Sequence, residues 1–595
     1  MAHKIGYNSR EVNITLSTLT YIFPAAIMLL IILFYLGTPS LRKAELGPEK
    51  EKSFCRADCL LLALIVILYS CAAFYNLGDT KAPQSFRHFE AGDRVTVDMG
   101  EEKSVNEILF YSGLNTGKCY VEYSHDGVVF YAAGSFDQKY SALFKWNSAE
   151  FMEGVDSEAR YIRITSDSDL YIGELSIRTD KGIVTGEGEL FDEQSLVPDY
   201  MTYLNSTYFD EIYHARTAYE HIEGVYPYEV SHPPLGKLII AGGIGLFGMT
   251  PFGWRFSGTL FGVLMLPVLY VFLKKMFGGT TVPACGTAIL AADFMHFTQT
   301  RIATIDTYAV LFILLMYLFM YLYVRGGKLR NLALSGVFFG IGAACKWTCF
   351  YAGAGLAVIW LIHWLRSFEL KKFIKNCLFC LCFFVLVPAV IYYVSYFPYG
   401  QASGMHGIGM FFKKEYADIV LGNQQFMFTY HSGVHAEHPY SSRWYQWVLN
   451  IRPILYYLQY YTDGRRSSFG AFLNPVLCWA GLAALFMNAY LAIFRRDRTA
   501  EFIVIGYLAQ LLPWMFITRT TFEYHYFPSA VFLLLAICRI FSLMKNNRRD
   551  WRVSVYGLTG LSAALFVLFY PVLSGKMVDG GVASALLKWF STWPF

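Results

Sequence analysis

The chain has 595 residues, of which 55% are apolar or aromatic and only 16% charged, with a net charge of +4. That composition and a mean hydropathy of +0.36 exclude a string of soluble domains, and so small a charge excess gives no basic surface for nucleic acid. Apolar runs close to the ~20 residues needed to cross a bilayer core recur along most of the chain, which makes it a polytopic α-helical membrane protein.

Spans are expected near 13–36, 57–77, 252–274, 281–298, 303–324, 331–345, 348–366, 373–397, 471–494, 500–518, 525–545 and 552–573, about 12 in all. The first is too long for a signal-peptide core and lacks a small-residue cleavage site, so it reads as retained. Residues 1–56 then form an added helix with its inner loop, and 57–80 the first helix of the main bundle. The Lys/Arg-rich connections lie at 41–56, 274–275, 324–330, 366–375, 494–498 and 544–552, and alternating the spans puts all of them on one face. By the positive-inside bias that face is cytoplasmic. Residues 78–251, 398–470, the turn 519–524 and both termini are then expected outside. Of the 12 cysteines only Cys119 falls in the large outer segment, so no disulfide is expected there, and the others read as small apolar residues.

Residues 81–183 break the membrane pattern with polar, period-2 alternation and frequent turns. Strands are expected at 94–100, 105–113, 118–133, 159–166 and 169–179, with "HDG" (125–127) as a hairpin turn. In "ARYIRITS", Tyr161, Arg163 and Thr165 face one way and Ile162 and Ile164 the other. The result is an extracytoplasmic β-sandwich inserted before the next span. "VTVDMG", "VEYSHDG", "ARYIRI" and "IGELSI" resemble the discoidin, or coagulation-factor C-type, domain. That is a jelly roll shared with many carbohydrate-binding modules. The resemblance implies either a docking spacer or a glycan binder.

Residues 184–251 complete the first outer loop. In "YFDEIYHARTAYEHIEGVYPYEVSHPPLGK", Ile212, Ala215, Tyr219 and Ile222 recur at helical spacing, with His214, Glu220 and Glu223 on other faces. An amphipathic helix in the membrane interface is expected, with Asp210 and Glu211 at its start. Either the two acids complement the helix N-terminus, or they are the acid–base equipment of an active site. "SHPPLGKLIIAGGIGLFG" reads as a second interfacial or re-entrant helix. Helices at 252–397 follow, then the outer loop 398–470 and the helices of 471–595.

The expected outer face collects costly polar groups. Arg255 stands at the mouth of a span, where it snorkels to headgroups or holds a phosphate. Asp306 and Lys346 lie at span ends; the loops add His438, Arg443, Trp444 and Trp447, then Arg519, Glu523 and His525. Singly, each has a bland reading as interface anchor or structural histidine. Together they offer cations for a lipid-linked phosphate, a carboxylate to deprotonate a hydroxyl, and rings for sugar faces. That chemistry is glycosyl transfer from a polyprenyl-phosphate sugar.

"FDEIYHARTAYEHI", "HPPLGK", "GWRFSGTLFGVLMLPVLY", "RIATIDTY", "GIGAACKWT", "HPYSSRWYQW" and "FEYHYFPS" occur in the order found in the protein O-mannosyltransferases, a family of C-type glycosyltransferases that the chain resembles over about 200–545. The resemblance implies an eleven-span core plus the added N-terminal helix. It implies Asp210 as catalytic base with Glu211 its acidic partner. Arg255, Lys346, His438 and Arg519 are implied as contacts to the donor phosphate, and His232, Asp306 and His525 as site architecture. The reaction implied is inverting, with mannose or another hexose passing from a polyprenyl-phosphate carrier to a Ser/Thr hydroxyl outside the plasma membrane. No metal is required, although a divalent ion stays open because a neighbouring C-type family binds one. The eukaryotic members carry a different domain in a later outer loop, for which 398–470 is too short. A cell-wall glycan or lipid acceptor is therefore the alternative within the superfamily. A secondary transporter would couple at Asp306 and Lys346, but no internal repeat accompanies them. A glycan-sensing anchor would need only one or two spans.

Overall fold

The computed structural model describes residues 18–38, 53–151, 158–184, 186–433, 437–546 and 548–595. Most of the basic loop 41–56 and the opening residues of the first expected span lie outside these. The helices used below are α1 (Thr20–Gly37), α2 (Arg56–Phe74), α3 (Glu211–Glu223), α4 (Leu235–Phe247), α5 (Pro251–Phe277), α6 (Thr281–Ala291), α7 (Phe294–Thr300) and α8 (Asp306–Gly326). They continue as α9 (Leu329–Cys345), α10 (Thr348–Leu365), α11 (Leu370–Ala402), α12 (Lys414–Gly433), α13 (Val476–Phe494), α14 (Arg498–Phe516), α15 (Glu523–Leu543) and α16 (Arg549–Ser574).

Ten of these are long and apolar enough to cross a membrane, while α4, α6 and α9 are shorter apolar helices. The chain is thus a multi-span helical membrane protein. The ends of α5 show how the sequence sets its limits. Thr250 accepts a hydrogen bond from the Gly253 amide, Pro251 follows at the first helical position, and Lys274 and Lys275 occupy the last turn. Each choice satisfies or complements a helix terminus. The expected span 281–298 is instead two short helices. Asp293 interrupts it and caps α7 by accepting from the His296 amide. Within the bundle α15 is buried along its whole span, whereas the apolar stretch of α11 is half-buried to exposed, which leaves it an apolar surface for lipid. The added helix α1 packs through Phe23 against Trp479 of α13, ring centroids 5.9 Å apart.

Between α2 and α3 lie nine strands: β1 (Arg87–Phe89), β2 (Arg94–Ser112), β3 (Gly117–Ser124), β4 (Tyr131–Gln138), β5 (Trp146–Ser148), β6 (Glu150–Phe151), β7 (Glu158–Ser166), β8 (Leu170–Thr179) and β9 (Gly182–Ile183). Their order is β1-β8-β2-β7-β3-β4-β6, with β5 on β2 and β9 on β8. The two strands expected at 94–100 and 105–113 are one. β2 pairs with β7 up to Ser104 and with β8 from Val105, after an irregularity between Asp98 and Lys103. A bulge of this kind lets one strand serve both layers of a sandwich. The stretch 118–133, with its expected turn at 125–127, is the hairpin β3–β4, and Asp126 holds the turn by accepting from the Val128 and Val129 amides.

One face of β2 and β8 fills the sandwich core with Ile108, Phe110, Leu175 and Ile177. The other face turns Leu109 and Tyr111, with Trp146 of β5, onto Ala215 and Ala218 of α3, Ile240 of α4 and Trp254 of α5. The sandwich is therefore seated on the helices that carry the acidic pair. A second small sheet, β10 (Ile454–Tyr460), β11 (Arg465–Ala471) and β12 (Val578–Asp579), closes the region between α12 and α13.

Candidate active site

The approach to α3 is conformationally constrained. Phe209 adopts a left-handed φ of 48°, uncommon for a bulky residue. Its ring lies on Tyr456 of β10, centroids 4.5 Å apart. Two hydrogen bonds tie the same segment to the sandwich: the Thr207 amide donates to the Phe144 carbonyl at 3.2 Å and the Thr207 hydroxyl to the Leu143 carbonyl at 2.8 Å. The amide of Trp146 donates to the Ser206 hydroxyl at 3.2 Å.

Asp210 then takes the N-cap position of α3, yet its side chain bonds none of the helix amides. The carboxylate accepts no hydrogen bond from the described residues, so it is not spent as a cap. Burial first, and the nearby Asp306 second, push its pKa up to about 7, against the opposing pull of Lys346. Removal from water and a like charge both disfavour the ionised form.

Glu211 and Arg255 are arranged differently from the sequence expectation. Both are fully buried, and Arg255 donates to Glu211 through Nε and Nη2 at 2.7 Å each. Its remaining directions go to the carbonyls of Leu77 at 2.9 Å and Ser206 at 3.0 Å. Glu211 also accepts from the amides of Tyr208 and Ala303. The expected phosphate contact at Arg255 is thus not where its guanidinium points. The residue locks the Asp210 loop onto α5, and Glu211 is the anchor of that lock rather than a group facing the site.

Asp306 and Lys346 do come together with Asp210. Lys346, at the end of α9, donates to the Asp306 carboxylate at 2.7 Å, and its ammonium lies 5.5 Å from the centre of the Tyr524 ring. One of three ammonium protons is used there, leaving donors for a ligand. Arg519 is partly exposed between α14 and α15 and forms no ion pair among the described residues. Its one side-chain hydrogen bond runs to the Thr520 carbonyl at 3.4 Å. It offers a half-buried guanidinium near Tyr524 and Tyr430, and the exposed Arg443 lies beside it on the carbonyl of Thr518.

His525 is buried in an aromatic block, stacked on Tyr524 at 4.5 Å and on Trp447 at 5.9 Å. His438 packs edge-on against Phe522 at 4.9 Å and accepts from the Tyr440 amide, so it braces this block. His232 lies 3.1 Å from Glu229, to which Lys237 also donates at 2.6 Å. The rings of His214 and His431 flank His232 at 5.8 and 5.1 Å. Burial lowers His214 to about 3 and His431 to about 4, which leaves both rings neutral at physiological pH. Burial alone would raise Glu229, but Lys237 and His232 hold it well below the usual carboxylate range.

Sequence reasoning missed Glu229, Lys237, His431 and Tyr524. The first two had a signal, since they bracket the His-Pro-Pro turn in an apolar stretch and close it with an ion pair. His431 had none; only the fold carries α12 to His232. The amphipathic reading of α3 holds in part: Ala215 is buried and Ile212 and Tyr219 are half-buried, as expected, but the buried surface extends onto the polar side. Its buried residues include His214, Arg216, Thr217 and Glu220, whereas Ile222 is 46% exposed. Among the described residues the carboxylates close enough to share a metal ion are Glu174, Asp192 and Glu193 of the sandwich segment, apart from Asp210.

Two family models match the chain. Residues 231–392 match dolichyl-phosphate-mannose-protein mannosyltransferase, and residues 418–593 match the C-terminal four-span region of protein-O-mannosyltransferase. Between them they cover more than half of the chain. It belongs to the protein O-mannosyltransferase family. Neither family match includes the sandwich or the Asp210–Glu211 pair. The polyprenol-phosphate-mannose–protein mannosyltransferase of Mycolicibacterium smegmatis is 25% identical over 457 residues, 65% of this chain and 87% of that one. The enzyme of that name from Mycobacterium tuberculosis is 24% identical over 426 residues, 61% of this chain and 81% of its own length. The solved protein O-mannosyltransferase Pmt1–Pmt2 complex of Saccharomyces cerevisiae, bound to the sugar donor, superposes with a TM-score of 0.57 at 12% identity. It covers 65% of this chain and 89% of that one. The family fold is therefore shared across a wide sequence distance.

Proposed function

We propose that this protein transfers mannose from a polyprenyl-phosphate carrier to Ser or Thr hydroxyls of proteins on the extracytoplasmic face of the membrane. One observation carries the reading: Asp210 presents a carboxylate free of protein hydrogen bonds, poised near neutrality, beside the Asp306–Lys346 pair. The mycobacterial relatives are named for the same donor, and the basic connections on the opposite side of the bundle support the orientation.

In this mechanism the acceptor hydroxyl attacks the anomeric carbon from the side opposite the carrier phosphate, and Asp210 takes its proton as the new bond forms. A base of pKa near 7 is half ionised at neutral pH and still strong enough to accept that proton. The departing phosphate gains negative charge, which Lys346 and Arg519 meet with fixed positive charge. Charge placed in advance, in a site shielded from water, stabilises the transition state more than a mobile counter-ion does. Glu211 and Arg255 keep the Asp210 loop in place, and the Glu229–Lys237–His232 network holds the His-Pro-Pro turn beside it.

Full-length protein given radiolabelled polyprenyl-phosphate mannose and a Ser/Thr peptide tests the reading. Asp210→Asn should transfer about 100-fold to 10,000-fold more slowly while donor affinity stays as in the wild type. Wild-type turnover by Asp210→Asn would contradict it.

A further inference from the structure

The inserted sandwich contributes a residue to the approach of the site. Tyr140, on the turn between β4 and β5, stacks on Tyr228, centroids 4.7 Å apart and planes 18° from parallel. Tyr228 in turn lies nearly parallel to Tyr213 of α3 at 6.4 Å. Arg216 underlies the ladder, its guanidinium 4.0 Å from the Tyr228 ring and 5.4 Å from Tyr140. Glu220 accepts from Arg216 at 2.7 Å and from the Tyr228 amide at 2.7 Å, so that charge pair is engaged in holding the rings in place. Packing fixes these rings, yet Tyr140, Tyr213 and Tyr228 remain 48%, 37% and 39% exposed.

The ladder leads to the base. Tyr213 lies within electrostatic reach of Asp210 and of Tyr430. Tyr430, on α12, lies within electrostatic range of Asp210, Glu229, Arg519 and Tyr228. It is 44% exposed and stacks on the equally exposed Phe426 one turn earlier, at 6.1 Å. Two aromatic walls, one begun by the sandwich and one on α12, therefore flank the accessible side of Asp210.

We propose that these walls form the acceptor groove, and that Tyr140 of the sandwich helps bind an extended polypeptide presenting its Ser or Thr hydroxyl to Asp210. The proposal rests on the protein-mannosyltransferase reading above and adds the substrate-binding surface to it. Rigid tyrosines give large amphipathic contact at little entropy cost, and an extended chain offers its side chains to the ring faces. The ladder's charged pair, Arg216 and Glu220, is spent in holding the rings, which leaves the ring faces themselves to meet the acceptor. The sandwich in this account acts as one wall of the active-site groove rather than as a separate binding module.

Tyr140 makes no contact with the catalytic groups, which makes it the discriminating position. Kinetics of the full-length protein should show the KM for a Ser/Thr peptide rising about fivefold in Tyr140→Ala, the worth of one aromatic contact. The donor KM and kcat should hold, and Tyr140→Phe should restore the wild-type value. Binding of the same peptide with Ala at the acceptor positions, followed by fluorescence anisotropy, should weaken by the same factor. An unchanged peptide KM in Tyr140→Ala, or a joint fall in kcat and donor affinity, would overturn the groove while leaving the role of Asp210 standing. Wild-type transfer to a mannan oligosaccharide but not to the peptide would also overturn it. Failure of the base itself would appear separately, as wild-type turnover by Asp210→Asn.

Discussion

Adjacent acids in this chain have opposite fates. Asp210 keeps its carboxylate clear of protein donors, while Glu211 accepts four hydrogen bonds, two of them from Arg255. Removing one partner of a fully buried pair leaves an uncompensated charge, which costs about 3–5 kcal/mol. Glu211→Gln should therefore lower the melting temperature by several degrees, and the protein that still folds should bind donor as the wild type does. Unchanged stability with lost donor binding would put Arg255 back at the phosphate. The sequence shows that an Asp-Glu pair and an arginine belong to one region. It does not show which acid the arginine takes, because that depends on the left-handed turn at Phe209 and on the approach of α5.

At the level of elements, the sandwich and α3 form one packed unit. The backbone of Leu143 and Phe144 receives Thr207, and Ser206 both accepts from Trp146 and presents its carbonyl to Arg255. Thr207→Val keeps the side-chain shape but loses the hydroxyl bond to Leu143, at a cost of about 1 kcal/mol. Because the same bond fixes the loop three residues before Asp210, kcat should fall several-fold while donor affinity stays constant. Equal kcat in the two proteins would show that the clamp does not govern the loop. The alternation of β7 and the turn at Asp126 were legible, since a strand's period and an Asx turn are local properties. The merging of two strands into β2 was not, because a bulge is recognised by its partners. The inward polar face of α3 was hidden for a related reason: periodicity finds a helix, and only its neighbours decide which face is buried.

Across the whole molecule, the long apolar spans could be read from composition because lipid demands length and low charge. The split at Asp293 could not, since a buried cap looks like any acid in a loop. The assembly also explains why the site residues are scattered in sequence. Asp210 comes from the N-terminus of α3, Asp306 from the start of α8, Lys346 from the end of α9, and Arg519 from the turn before α15. The elevated pKa of Asp210 arises from its burial in the assembled site and from Asp306, with Lys346 opposing. A carboxylate raised from 3.8 to about 7 binds its proton more tightly in the folded protein. Ionising it therefore costs stability as pH rises from about 4 to about 7, and the proposed base is half ionised at the upper end of that range. The decisive measurement is the pH dependence of kcat/KM for the peptide acceptor. With Asp210 as the base, the profile should show a single acidic limb with an apparent pKa of about 7 and a plateau above it, the limb moving to lower pH in Asp306→Asn as the like charge is removed. A profile flat from pH 5 to 8, or a limb unmoved by Asp306→Asn, would contradict that role.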